Sequence, residues 1–363
     1  MEVRPDLLTL QDGRAATALN WRQRRAELSD VIIPSVYGGM PPTGRVSEPL
    51  LFSSVRVHDW EGVVYETYEV RTEFADGKEH RIRLSLWVPP GEGPFPVLLY
   101  GDGCWHMLHD ETVHQALIRG NIVAVFDRTE AAADNSACYR RTGLYRLYPE
   151  ASFGALSAWA WAYHRCVDAL QQMPNVRADA IAISGHSRGG KTVLLAGALD
   201  ERIALVNPNN SGIGGAGLNH WKVDGSETID SFFGSGNIFW FGEFFARQRH
   251  RDNQLPYDQH FLLAMVAPRP LLLTEAYEDR AANPPGTYVA CLATQHVYVL
   301  LGRRAHIGWS FREGGHAHST ADFIALLDYM DVHLHNRTVS RDFQRALFPD
   351  IDSVLRPALE QST

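Results

Sequence analysis

The sequence predicts an α/β fold, with a mostly parallel, doubly wound sheet and helices on both faces. Three observations lead there. Short continuous apolar runs such as "FPVLLYG", "NIVAVFD" and "ADAIAISG" read as strands buried on both faces. Helical segments alternate with them, the pattern of a parallel sheet covered on both sides. And "ISGHSRGGKT", Ile183 to Thr192, sets a serine among glycines between an expected strand and an expected helix.

Taken in order, residues 1–50 read as an extension packing on the core. Within it "WRQRRAELSDVI" is a predicted helix and "YGGMPPTG" a turn-rich link. "YETYEVRTEF" and "HRIRLSLWV" are predicted antiparallel strands around the "ADGKE" turn. "FPVLLYG" and "NIVAVFD" are buried strands, with the helix "ETVHQALIRG" between them. "ALSAWAWAYHRCVDALQQM" places Trp159, Tyr163, Cys166, Leu170 and Met173 at helical spacing, and Pro174 stops it. The strand "ADAIAISG" and the helix "GKTVLLAGAL" follow. "RIALVNP", "RPLLLTEA" and "HVYVLLG" are three further predicted strands. "DFIALLDYMDVHL" is a closing helix with Phe323, Leu327, Met330 and Leu334 on one face. Residues 51–340 thus form the expected catalytic domain, and 341–363 a tail. Periodicity fails over 207–258, which is rich in Gly, Asn and aromatics. An irregular insertion of that length is expected to wall a pocket.

Composition narrows the function. The 363 residues are 45% hydrophobic and 21% charged, with a net charge of −8, ordinary for a globular protein. No dense block of Lys and Arg offers a nucleic-acid track, and no apolar run reaches membrane-spanning length. The opening residues lack the apolar core of a signal peptide. The expected location is therefore the cytoplasm, or outside the cell after removal of a leader. Cys104, Cys138, Cys166 and Cys291 are widely spaced, which argues against a disulfide framework or structural zinc and for small buried residues.

The serine stretch fits two patterns. Gly185, Ser187 and Gly189 spell the nucleophile elbow Gly-x-Ser-x-Gly. Gly185, Gly190, Lys191 and Thr192 spell a phosphate loop. The phosphate loop normally opens its domain, whereas this stretch lies past the chain's midpoint. The elbow needs a histidine base and an acid behind it, in the order serine, acid, histidine. Asp279, just beyond "PLLLTEA", and His316, in "REGGHAHS", supply both in that order. Glu275 and Glu278 are rivals for the acid, and His318 for the base. "HAH" lacks a third metal ligand at a recognisable spacing. "GIGGAG", Gly212 to Gly217, copies a dinucleotide fingerprint, but no apolar helix follows it. "DGCWHMLHD" stands where this fold places a loop that completes the oxyanion hole; Cys104, His106 and His109 in it read as pocket residues rather than metal ligands. The sequence therefore predicts an α/β-hydrolase fold and a serine carboxylic-ester hydrolase that uses neither metal nor cofactor.

These motifs resemble those of the glucuronoyl esterases, close to the acetylxylan-esterase-like α/β-hydrolases. "GHSRGGK" is similar to their Gly-x-Ser-Arg-x-Gly-Lys elbow. "LPYDQHFLLAMVAPRPLLLTEAYEDRAANPPGTYVA", "SGIGGAG", "FWFGEFF" and "REGGHAHSTADF" are similar too, over roughly residues 20 to 335. The resemblance implies Ser187 as nucleophile, His316 as base and Arg188 as oxyanion support. It implies Lys191 and Glu227 as contacts to a uronate, with Trp240 in the substrate pocket. The implied substrate is a carbohydrate-linked ester, foremost of 4-O-methyl-glucuronate. An acetyl ester of a sugar or another natural product, as in acetylxylan or cephalosporin-type deacetylases, is the alternative, and a hydrolase-fold binding protein without turnover a third. The sequence departs from the family pattern at three places. Asn210 stands where many members carry the acid, Ala281 where a Trp is usual and Asn283 where an Asp is common. With an amide at 210, the acid role falls on Asp279.

Overall fold

A computed structural model describes residues 3 and 5–360; residues 1, 2, 4 and 361–363, at the ends of the predicted extension and tail, lie outside the described residues. After α1 (Trp21–Ile32) come β1 (Arg45–Val46), β2 (Leu50–Arg56), β3 (Val64–Glu73) and β4 (Glu79–Val88). The alternating part is β5 (Phe95–Tyr100), α2 (Asp110–Ile118), β6 (Ile122–Phe126), α3 (Gly143–Leu147), α4 (Ala155–Leu170), β7 (Val176–His186), α5 (Arg188–Leu199) and β8 (Ile203–Asn209). Only short pieces interrupt the next stretch, α6 (Ile229–Gly234) and α7 (Glu243–Ala246). Then follow α8 (His260–Val266), β9 (Leu271–Ala276), α9 (Pro284–Leu300), β10 (Ile307–Arg312), α10 (Thr320–His335) and α11 (Pro349–Glu360).

The strands form one sheet in the order β1-β3-β4-β6-β5-β7-β8-β9-β10, with β2 also on β3. From β6 to β10 every pair is parallel, and the first four strands add an antiparallel edge through the β4–β6 pair. Side chains alternate between two apolar layers, as the period of two requires. Leu98, Val123, Ala182, Leu205 and Leu272 join Val113 and Leu117 of α2 and Leu326 and Met330 of α10. Val97, Leu99, Ile122, Ile183, Val206 and Leu273 join α4, α5, α8 and α9 on the other face. Both faces are covered, which explains the unbroken apolar runs. Cutting Leu326 or Met330 back to alanine would cost about 2–5 kcal/mol. The extension packs into the same core through Leu7, Trp21 and Leu28.

Three expectations change. "HVYVLLG" is the end of α9, not a strand, and the last strand is "IGWSFR". The helix begins at Pro284, capped by Asn283, whose side chain accepts from the Gly286 amide. It then runs between the sheet and other helices, so its apolar surface goes nearly all the way round and mimics a buried strand. The helix after His316 is also not the last, because α11 follows. Cys166 and Cys291 are buried as expected, but Cys104 and Cys138 are only half-buried. No helix among the described residues is long and apolar enough to cross a membrane.

Parallel strands in one sheet all end on the same side. The loops after β5, β6, β7, β8, β9 and β10 therefore meet at one rim, and the strand order reverses at β5. Ligand sites in such sheets sit there.

Candidate active site

Ser187 sits alone between β7 and α5, at φ 56° and ψ −120°. A non-glycine residue in that region is strained, by about 1–3 kcal/mol. The strain turns the chain sharply from strand to helix and leaves the hydroxyl at the rim. The Ser187 amide donates to Asn209 O at 2.8 Å, tying the turn to the end of β8. Gly185 and Gly189 are needed for the close crossing. A Cβ at Gly185 would lie 2.6 Å from the carbonyl oxygen of Gly189, and one at Gly189 would overlap the Asp102 carboxylate. Asp102, fully buried just past β5, accepts the His186 amide at 2.8 Å from beneath the elbow.

The loops after β8, β9 and β10 bring Asn210, Asp279 and His316 together. His316 Nδ1 and Asp279 Oδ2 are 2.6 Å apart, and Asn210 Nδ2 donates to the same oxygen at 2.6 Å. Burial opposes ionisation of Asp279, yet these two hydrogen bonds and the imidazole's charge outweigh it and hold the carboxyl below its ordinary range. The His316 ring lies 4.5 Å, centre to centre, from that of His186, the residue before Ser187. His186 is itself a neutral spacer. Its Nδ1 meets Asn209 Oδ1 at 2.6 Å, and burial lowers its pKa to about 4. The Ser187 hydroxyl has no hydrogen bond among the described residues; catalytic contacts often close only when substrate binds.

Arg312, at the end of β10, shapes the His316 loop. Its guanidinium donates to the carbonyls of Glu313, Gly315 and Ala317 at 3.0, 3.3 and 2.6 Å, and to Asp322 at 2.8 Å. The loop is wrapped around one cation. Asp322 also belongs to the Ser319 capping box that starts α10.

The rivals are placed elsewhere. His318 is buried, stacks on Phe323 at 3.9 Å and meets Tyr100 Oη at 3.2 Å; burial pushes it far below the ordinary histidine range. Glu278 is exposed. Glu275 is fully buried, and burial followed by the Asp279 charge pushes it well above the ordinary carboxyl value. Gly212 to Gly217 form turns that open no helix. Burial raises the Cys104 thiol to about 12, so it is no thiolate. Among the described residues no three His, Cys, Asp or Glu side chains converge as a metal set.

Arg188 opens α5, where the first N–H groups have no intrahelical acceptor. Its guanidinium stands over the rings of Trp105 and Trp240, 5.4 and 4.3 Å from their centres. One turn on, Lys191 is buried, and its Nζ donates to Ser211 O at 2.6 Å and Glu227 Oε2 at 2.8 Å. Trp240 is only 3% exposed, and its Nε1 donates to Asp134 Oδ1 at 3.1 Å. Sequence reasoning passed over Asp102, Trp105, Arg128, Asp134 and His186. Asp102 and Trp105 lie in the "DGCWHMLHD" loop already assigned to the oxyanion hole, and the available signal for Arg128 was that "DRT" directly follows a buried strand.

Comparison with known proteins points to one family. The family model for fungal glucuronyl esterases matches residues 72–302. A 4-O-methyl-glucuronoyl methylesterase of Wolfiporia cocos is 30% identical over 324 residues, covering 86% of this chain and 76% of that protein. A carbohydrate esterase family 15 glucuronoyl esterase from Caldicellulosiruptor kristjansonii superposes with a TM-score of 0.83 at 30% identity, covering 98% of this chain and 97% of the other. The glucuronoyl esterase catalytic domain of Hypocrea jecorina gives 0.78 at 25% identity, over 96% and 94%.

Proposed function

This chain belongs to the glucuronoyl esterase family and is a carboxylic-ester hydrolase of the α/β-hydrolase fold, and from that premise we propose that it cleaves esters of 4-O-methyl-glucuronate by a Ser187–His316–Asp279 relay. The observation that carries the relay is the 2.6 Å contact between His316 Nδ1 and Asp279, with the ring beside the residue preceding Ser187. A proton kept on Nδ1 and hydrogen-bonded to the Asp279 carboxylate leaves the Nε2 lone pair as the base.

Ser187 Oγ bonds to the ester carbonyl carbon while its proton passes to His316 Nε2. The carbonyl oxygen becomes an anion, met by the Arg188 amide and the Arg188 side chain. When the intermediate collapses, the bond to the alcohol breaks and His316 returns the proton to the leaving oxygen. Water, losing a proton to His316, then bonds to the acyl carbon; as the bond to Ser187 Oγ breaks, His316 returns that proton to Oγ and the uronic acid leaves. Asp279 holds the ring and balances the imidazolium charge throughout.

Lys191 and Glu227 are read as hydroxyl contacts of the uronate ring. Their mutual bond, 2.8 Å, fixes both before a sugar arrives. Trp240 contributes an edge of the wall, since little of it is accessible.

The test is a panel of methyl and benzyl glucuronate esters beside acetylated xylan and simple acetyl esters, run with the protein and with Ser187→Ala. Turnover is expected for the glucuronate esters and lost in the variant. Activity that survives Ser187→Ala would overturn the relay; preference for acetyl esters would overturn the substrate.

A further inference from the structure

The guanidinium proposed to meet the oxyanion is itself held, and by a residue outside the elbow. Arg188 Nη1 donates to Asp134 Oδ2 at 3.1 Å. The same oxygen receives both terminal nitrogens of Arg128 at 3.3 Å, and Asp134 Oδ1 takes Trp240 Nε1 at 3.1 Å. Arg128 is fully buried between Trp105 and Trp159, and its Nε donates to Asp102 at 2.7 Å. Asp102 in turn holds the His186 amide under the elbow. The charges therefore run Asp102, Arg128, Asp134, Arg188, alternating in sign, from the backbone of the elbow round to the side chain beside the nucleophile. Arg188 Nε is buried and has no partner among the described residues.

That unpartnered donor points to a ligand. A buried N–H without an acceptor is left unsatisfied in the resting site, and an oxyanion would satisfy it only in the transition state. Holding Nη1 leaves the Nε–Nη2 edge of the fork, the edge that suits an oxygen acceptor. An unheld arginine would keep its rotamer freedom at rest and lose it at each turnover.

We propose that Asp134 is a positioning residue for ester cleavage: it clamps Arg188 by Nη1 so that the Nε edge meets the anionic intermediate, and with its other oxygen it fixes Trp240 as the adjoining wall. This rests on the reading of Arg188 as oxyanion support, and a double-mutant cycle separates the two. Arg188→Met is expected to lower kcat by about 10²–10³-fold, as for loss of an oxyanion donor. Asp134→Asn keeps the shape but not the charge, and is expected to lower kcat by roughly 10²-fold through misplacement, with KM nearly unchanged. In the Arg188→Met background, Asp134→Asn should lower kcat no further. Should Asp134→Asn fail to fold with Arg128 left unpaired, Asp134→Glu carries the same cycle. It keeps the charge and moves the carboxylate by one methylene. Wild-type kcat in Arg188→Met would overturn the oxyanion reading. A fall in Arg188→Met with normal kcat at position 134, or losses that multiply, would overturn the positioning role alone.

Discussion

Replacing Glu275 by glutamine tests whether the carboxyl under the site holds its proton. Glu275 lies on β9, four residues before Asp279, and is fully buried. Its Oε1 accepts from Thr287 Oγ1 at 3.3 Å, while Oε2 has no partner among the described residues. Burial first, and then the Asp279 charge, raises its pKa well above the ordinary 4.5. Between those two values the folded protein keeps a proton that the unfolded chain has lost. The stability tied to this group is full below pH 4.5 and falls as pH rises, by about 1.4 kcal/mol per pH unit, until the folded value is reached. Glutamine has no proton to retain and offers the same oxygen to Thr287. Its extra N–H groups, with no acceptor, set it back by about 1–3 kcal/mol at low pH. Urea unfolding of both proteins from pH 4 to 8 should therefore show the variant gaining on the wild type, at about 1.4 kcal/mol per unit above the ordinary value. Because glutamine leaves the charge around Asp279 unchanged, kcat should be retained. Parallel stability curves would mean that Glu275 is ionised in the fold, and a collapse of kcat would mean that a carboxyl there takes part in the chemistry.

Three further outcomes follow from single contacts. Asn210→Ala removes one donor from Asp279; a hydrogen bond to a charged group is worth about 1.5–3 kcal/mol, so kcat/KM should fall roughly 10- to 100-fold, and unaltered steady-state kinetics would contradict the role given to that amide. Arg312→Ala frees the loop around His316 and should lower kcat far more than KM, with guanidinium added to the buffer restoring part of it; no rescue would argue that the loop holds itself. Lys191→Met should raise KM for glucuronate esters while the rate of Ser187 labelling by a fluorophosphonate stays close to wild type, and equal loss of both would place Lys191 in the elbow's folding instead.

What the sequence made legible has a common physical cause. Ser187 could be read because the elbow is local: a buried strand, a strained turn and a helix within about ten residues, with small residues wherever backbone or carboxylate comes close. Asp279 and His316 were readable because the fold fixes their order, and each directly follows a strand end. The end of α9 misled because a helix packed on most sides carries β-branched and aromatic residues all round. Asn210 as a partner rather than a substitute for the acid was hidden, since a donor and a missing acid look alike until Asp279 Oδ2 is seen to accept from both Asn210 and His316. Asp134 was hidden for a stronger reason. Its three partners, Arg128, Arg188 and Trp240, come from separate loops that only the sheet order brings to one rim. No local pattern marks an aspartate for that use. Residues proposed to make and break bonds sit in short stretches at strand ends, so they leave a trace in neighbouring residues. Residues that aim them need only an ordinary side chain in the right place, so they become visible only when the chain is folded.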